Sequence, residues 1–203
     1  MKINPELLPN GKWKVWANLI KADANFALGD TKTGLDILRA IPVSAGKLYV
    51  EAKFEFSNGE YDIAIQKLLQ GIEQEYEKAS FHALLGEIEQ AKGNPDIALG
   101  YFRKANEIDP YWQKPLIKIS QIQISNGNFD FALKVLKLAE KLVGKTNSLA
   151  AGKAQYFSYR YQLEAAKEEA NVVLRSDPNQ FDMLVALGIV ELKAGNNQYA
   201  LDF

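Results

Sequence analysis

Apolar positions in this chain recur at helical spacing, not in alternation. Ala98, Phe102 and Ala105, and again Ala132, Leu136 and Ala139, stand at i, i+4 and i+7, one face of a helix. Glycines interrupt these stripes at a fixed interval. Gly59, Gly93 and Gly127 recur every 34 residues, and Gly195 falls two periods further on. Five residues past each glycine stands an alanine: Ala64, Ala98, Ala132 and Ala200. Ala166 fills the missing step, where Tyr161 takes the place of glycine. A constant period over most of a chain predicts one helix–turn–helix unit stacked on copies of itself.

On that period the copies are 45–78, 79–112, 113–146, 147–180 and a partial 181–203. Their eighth place is small: Ala52, Gly86, Ser120, Ala154, Gly188. Two places on, the residue is apolar: Phe54, Ile88, Ile122, Tyr156, Val190. A small side chain recurring on one helix face lets a neighbouring helix come close. The glycine ends the first helix in a left-handed conformation. Asn94, Asn128 and Asn196 follow it as expected caps of the second helix. Pro110 and Pro178 stop the second helix. A shorter copy precedes these, because Ala22, Gly29, Gly34 and Leu38 lie 30 residues before Ala52, Gly59, Ala64 and Leu68. Residues 15–44 are therefore expected to be a helix pair lacking about one turn, ended early by Pro42. Residues 1–12 read as an irregular lead-in, with Trp13 and Trp16 covering the first pair. The last copy stops at Phe203 inside its second helix, leaving a face of Leu187, Ala200 and Phe203 without a polar cap. The expectation is a piece of a longer array, or an end that pairs with another copy.

The small eighth place, the glycine turn and the Ala-x3-Phe-x2-Ala stripe resemble the tetratricopeptide repeat. The fullest match is His82-Ala83-Leu84-Leu85-Gly86, then Gly93-Asn94-Pro95, then Ala98, Phe102, Ala105 and Pro110. One place departs: where the family often has tyrosine, the chain has Glu55, Glu89, Gln123, Phe157 and Glu191. The resemblance implies an all-α fold, a right-handed α-solenoid of stacked antiparallel helix pairs, as a single domain over 13–203. It also implies a concave groove, lined by first helices, that holds a peptide or a partner helix. The groove places carry Tyr49, Lys53, Phe56, Glu87, Gln90, Gln121, Ile124, Gln155 and Ser158. Members that clamp acidic tails use several basic residues and asparagines there, and here only Lys53 is of that type. The groove reads as neutral, with glutamines able to pair with a peptide backbone in both directions.

Charge and composition narrow the function. Lys plus Arg total 24 and Asp plus Glu 25, a net charge of -1, which removes the overall electrostatic case for nucleic acid or an anionic membrane. There is no cysteine, hence no thiolate metal site or disulfide framework. No apolar run has the length of a signal peptide or a membrane span. The chain reads as soluble, cytoplasmic or periplasmic. The single histidine, His82, sits at a place filled elsewhere by Leu48, Leu116 and Leu184, so packing explains it. Ala139 with Gly144-Lys145-Thr146 fits a relaxed phosphate-loop pattern, but Ala139 lies inside a predicted helix that Gly144 ends, and a helix carbonyl end repels phosphate. The acids Glu73, Glu75 and Glu77, and Glu164, Glu168 and Glu169, read as solvated faces with Lys67 and Lys167 nearby. No catalytic residue, cofactor or metal is expected. The expected role is non-enzymatic: a scaffold holding a protein or peptide partner within a larger bacterial assembly of secretion, pilus or polysaccharide-export type. The alternatives are a scaffold that self-associates through its C-terminal end, or the repeat portion of a cytoplasmic regulator.

Overall fold

A computed structural model describes residues 11–74 and 78–175, and beyond them Asp177, Leu184, Leu187, Gly188, Glu191, Leu192 and Gly195. The expected lead-in falls outside these residues except for its last two, which open the first helix. Most of the partial copy 181–203, including Ala200 and Phe203, lies outside them too, as does Pro178.

Ten helices are delimited among the described residues, with no strand among them. They are α1 (Gly11–Ala27), α2 (Thr31–Arg39), α3 (Ala45–Ser57), α4 (Tyr61–Gln74), α5 (Ala79–Ala91), α6 (Pro95–Ile108), α7 (Gln113–Ser125), α8 (Phe129–Val143), α9 (Asn147–Tyr159) and α10 (Leu163–Leu174). Packing divides them into two units, one running to Asn94 and one beginning at Pro95. In the first unit α1 packs on α2 and α3, and α3 on α4 and α5. Its core holds Leu19, Ala22, Leu38, Ile41 and Val50. In the second, α7 packs on α6, α8 and α9, and α9 on α8 and α10. There Phe102, Leu116, Leu136 and Leu149 meet in one core cluster.

The small residues sit in the helix seams. Ala22, Ala52, Ala64, Ala98, Ser120 and Ala132 are each 0% exposed. At such positions any longer side chain would push two helix axes apart. Two glycines do the same against aromatic rings. A Cβ on Gly71 would stand 2.5 Å from the Phe81 ring, and one on Gly34 would stand 2.4 Å from that of Phe26.

The turns follow the expected geometry at Gly127, where φ is 76°. Tyr161 makes the same turn with φ at 57°, and Gln162 N donates to Phe157 O as Asn128 N donates to Gln123 O. A bulky residue held there carries strain of about 1 kcal/mol that glycine avoids.

The side chains of Asn94 and Asn128 bond back across the turn rather than capping the following helix, and Asn196 lies outside the described residues. Asn94 Nδ2 donates to Glu89 Oε2 and Asn128 Nδ2 to Gln123 Oε1, both at 2.8 Å. Glu89 and Gln123 are buried, so each needs a donor, and the asparagine across the turn supplies it. This accounts for Glu89 and Gln123 at the place where the family often has tyrosine. In copy 147–180 the corresponding pair is Phe157 and Gln162, and the apolar ring needs no donor.

Trp13 and Trp16 do not cover the first pair: they are 55% and 56% exposed. On α1 the core takes Leu19 and Ala22 instead. Ion pairs cross the seams as well. Lys153, on α9, reaches Glu140 on α8 at 2.7 Å and Glu169 on α10 at 3.4 Å. Burial opposes the Lys153 charge, but the two carboxylates outweigh it and raise its pKa. Lys67 pairs with Glu51 at 2.7 Å, and Lys167 pairs with Glu191.

Two stability outcomes are expected. Ala132→Phe overpacks the α7–α8 seam and should cost about 1–3 kcal/mol in a urea titration. Tyr161→Gly should raise stability by about 0.5–1 kcal/mol in the same titration, because the left-handed turn is relieved.

Candidate functional site

The first helices of each unit carry the expected groove positions, and the structure sorts them. In the first unit, α1, α3 and α5 together enclose a cleft of about 190 Å³. Trp16, Ile20 and Asp23 line it from α1, Tyr49 from α3 and Phe81 from α5. Tyr49 and Phe81 are tilted ring against ring, centroids 5.2 Å apart. The Gly71 seat behind Phe81 holds that ring in place. Trp16 and Ile20 remain 56% and 62% exposed, so the cleft presents apolar surface to solvent.

The ninth places of the three helices form a charged row of Asp23, Lys53 and Glu87. Lys53 Nζ bonds both carboxylate oxygens of Asp23 at 2.6 Å. The one basic groove residue is thus already neutralised, which leaves it poorly placed to hold a partner's carboxylate. Burial pushes the Tyr49 phenol up to about 12, and the charges of Glu87 and Asp23 add to it.

The other expected positions divide. Phe56 turns toward Tyr61 at the start of α4, centroids 5.9 Å apart, and is not part of the cleft lining. Gln90 is exposed at the end of α5. In the second unit, Gln121 on α7 and Gln155 on α9 are half-buried, and these two helices pack together. Ile124 is 2% exposed and belongs to the core cluster, and Ser158 is 6% exposed. These two side chains present almost no surface.

Sequence reasoning missed Trp16, Ile20 and Asp23. The signal was available: Asp23 precedes Lys53 by the same 30 residues that relate Ala22 to Ala52. Carrying the groove places back into the short copy finds Asp23 directly and puts Trp16 and Ile20 on the same helix face.

The phosphate-loop look-alike is occupied by helix ends. Gly144 closes α8 with φ at 87°, its N–H bonding Glu140 O. Thr146 opens α9: its Oγ1 accepts from Leu149 N and donates to the buried Gln113. Gln113 in turn donates to Gly144 O at 2.8 Å. His82 is buried within α5. Among the described residues no cluster of His, Cys, Asp and Glu is suited to a metal ion, and no helix is long and apolar enough to cross a membrane.

No family model and no curated protein matches this sequence. Solved structures do. A thermophilic tetratricopeptide-repeat protein of Thermus thermophilus is 19% identical, with a TM-score of 0.71 over 88% of this chain and 99% of that one. PilF of Pseudomonas aeruginosa is 15% identical, TM-score 0.65, over 89% of this chain and 82% of that one. YrrB, a repeat protein with an unusual peptide-binding site, is 15% identical, TM-score 0.55, over 84% and 86%. The fold is that of the tetratricopeptide-repeat proteins, an all-α fold built from helix pairs.

The environment of Tyr49 predicts a pH dependence. Its folded pKa lies near 12, above the ordinary 10.0. Between those values the folded state keeps a proton that the unfolded state has lost. The contribution is therefore complete below pH 10 and is lost as pH rises through about 12. Urea titrations across that range should show a steeper fall for the native chain than for Tyr49→Phe.

Proposed function

We propose that this chain is a protein-interaction scaffold that seats an extended peptide or helix of a partner on its first-helix face. The observation that carries this reading is the aromatic cleft on α1, α3 and α5. An apolar recess with Trp16 and Ile20 exposed at its mouth suits one large anchoring side chain. Asp23 ties up Lys53 beside it, and the recess itself is mostly apolar apart from Asp23, Lys78 and Ser80, which favours an apolar anchor. YrrB, of the same fold, is described by its peptide-binding site, which lends the reading a precedent.

The test is a display selection of random peptides on the full chain, followed by affinity measurement from the fluorescence anisotropy of the labelled peptides. Selected peptides should share one aromatic or large aliphatic residue. Ile20→Ala should weaken them by about tenfold or more, with the melting temperature unchanged within a few degrees because Ile20 is mostly exposed. Peptides without a common apolar residue, or affinities indifferent to Ile20→Ala, would refute the reading.

A further inference from the structure

Helix α1 is apolar on more than its core side. At 3.6 residues per turn, Trp13, Trp16, Ala17, Ile20, Ala24 and Ala27 fall within about 120° of one another, and no polar residue of α1 falls among them. Ala22, on the side opposite Trp13, lies in the core. A helix apolar on nearly all sides is normally buried. Yet Trp13, Trp16 and Ile20 are each more than half exposed, and Ala24 and Ala27 are exposed with them. The stripe is also graded in size. Its N-terminal half carries two indole rings, and its C-terminal half carries two methyl groups.

Such a stripe complements itself when one copy is reversed. Laid antiparallel with Ile20 against Ile20, it sets Trp13 opposite Ala27 and Trp16 opposite Ala24. Each ring then meets a position with room for it, so the axes can close to the about 8–10 Å of packed helices. A parallel pairing sets ring against ring and holds the axes apart. We propose that this face of α1 docks a second copy of the chain, through a twofold antiparallel pairing of the two α1 helices. The pairing does not use the C-terminal end, where the sequence suggests self-association, and it does not depend on the peptide reading of the α1–α3–α5 recess. It does share Trp16 and Ile20 with that recess, so a bound copy closes its mouth. The stripe buries roughly 800–1,000 Å² over both copies, counting half of each tryptophan, which belongs to the weak, reversible class of interfaces. Charge at the edges works the same way. Asp23 is held by Lys53 on one edge, while Lys14 and Lys21 stand exposed on the other. An antiparallel pair brings like edges together, so these lysines face those of the second copy and oppose association.

The experiment is sedimentation velocity of the full chain from about 5 to 500 μM, the range of weak interfaces. A monomer passing reversibly to a dimer is expected, and added salt should strengthen the dimer by screening the lysines. Ala24→Glu should weaken it about tenfold or more, and should melt like the native chain because Ala24 is exposed. Ala24 does not line the recess, so the same variant should still capture an anchoring peptide. Loss of the dimer and loss of peptide capture are thereby read separately. The chain has no cysteine, so single cysteines report the register. Under mild oxidation Ile20→Cys should form a linked dimer. Ala27→Cys should not, since its two copies lie about 20 Å apart along the pair. The proposal is overturned by a monomer at every concentration, by a dimer indifferent to Ala24→Glu, or by Ala27→Cys linking more readily than Ile20→Cys. A dimer lost on removing residues 181–203 while Ala24→Glu leaves it intact would also overturn it, by assigning association to the C-terminal end.

Discussion

Two helices can lie side by side at the closest separations only if the crossing point carries almost no side chain, and interaxial distances of about 8–10 Å leave room for little more. Ala22, Ala52, Ala64, Ala98 and Ala132 supply those crossing points, each sealed from solvent. Once they are set, the rotation of every helix about its own axis is set too. A helix with one face fixed against its neighbours must present its other faces in a defined direction. The row of Asp23, Lys53 and Glu87 follows from that constraint, and so does the placement of Trp16, Tyr49 and Phe81 around one recess. The proposed docking surface is thus a by-product of seam geometry.

This is also why the fold could be read from the sequence and the site only in part. Seam positions tolerate few residue types, so the alanines stand out at their interval. Surface positions tolerate many, and nothing in the spacing of Ile124 or Ser158 revealed that the core would take them. Tyr49 and Lys53 were legible because their places are fixed by the same register. Trp16, Ile20 and Asp23 were overlooked because their copy is four residues shorter, and the groove places were not carried back across the shorter step. The asparagines were misread for a different reason. A residue just after a turn glycine is positioned both to cap the following helix and to reach back five residues, and spacing alone does not choose. The burial of Glu89 and Gln123 chooses, since an unpaired buried amide or carboxyl costs about 1–3 kcal/mol.

Electrostatics differs between the two units. In the first unit Asp23 ties up Lys53 by two short bonds, and Tyr49 remains a neutral phenol through the physiological range. What is left to bind with is shape and apolar area. In the second unit Arg103 and Asp130 line one cleft together, and Arg160 lies over the Phe129 ring. One fold can hold such different chemistries because its helices need only their seams. The outward residues are free to vary.

The amide bridges of Asn94 to Glu89 and Asn128 to Gln123 have a kinetic corollary. Each joins residues five apart in the chain, so almost no loop entropy opposes its closure. A hairpin with its own internal fastener can set its bend while the following copy is still being synthesised. Such local ordering lowers the mean sequence separation of contacts, the property that accompanies fast folding. At the bend through Tyr161 that side-chain fastener is absent, and the backbone bonds of Tyr161 N to Ser158 O and Gln162 N to Phe157 O hold the turn alone.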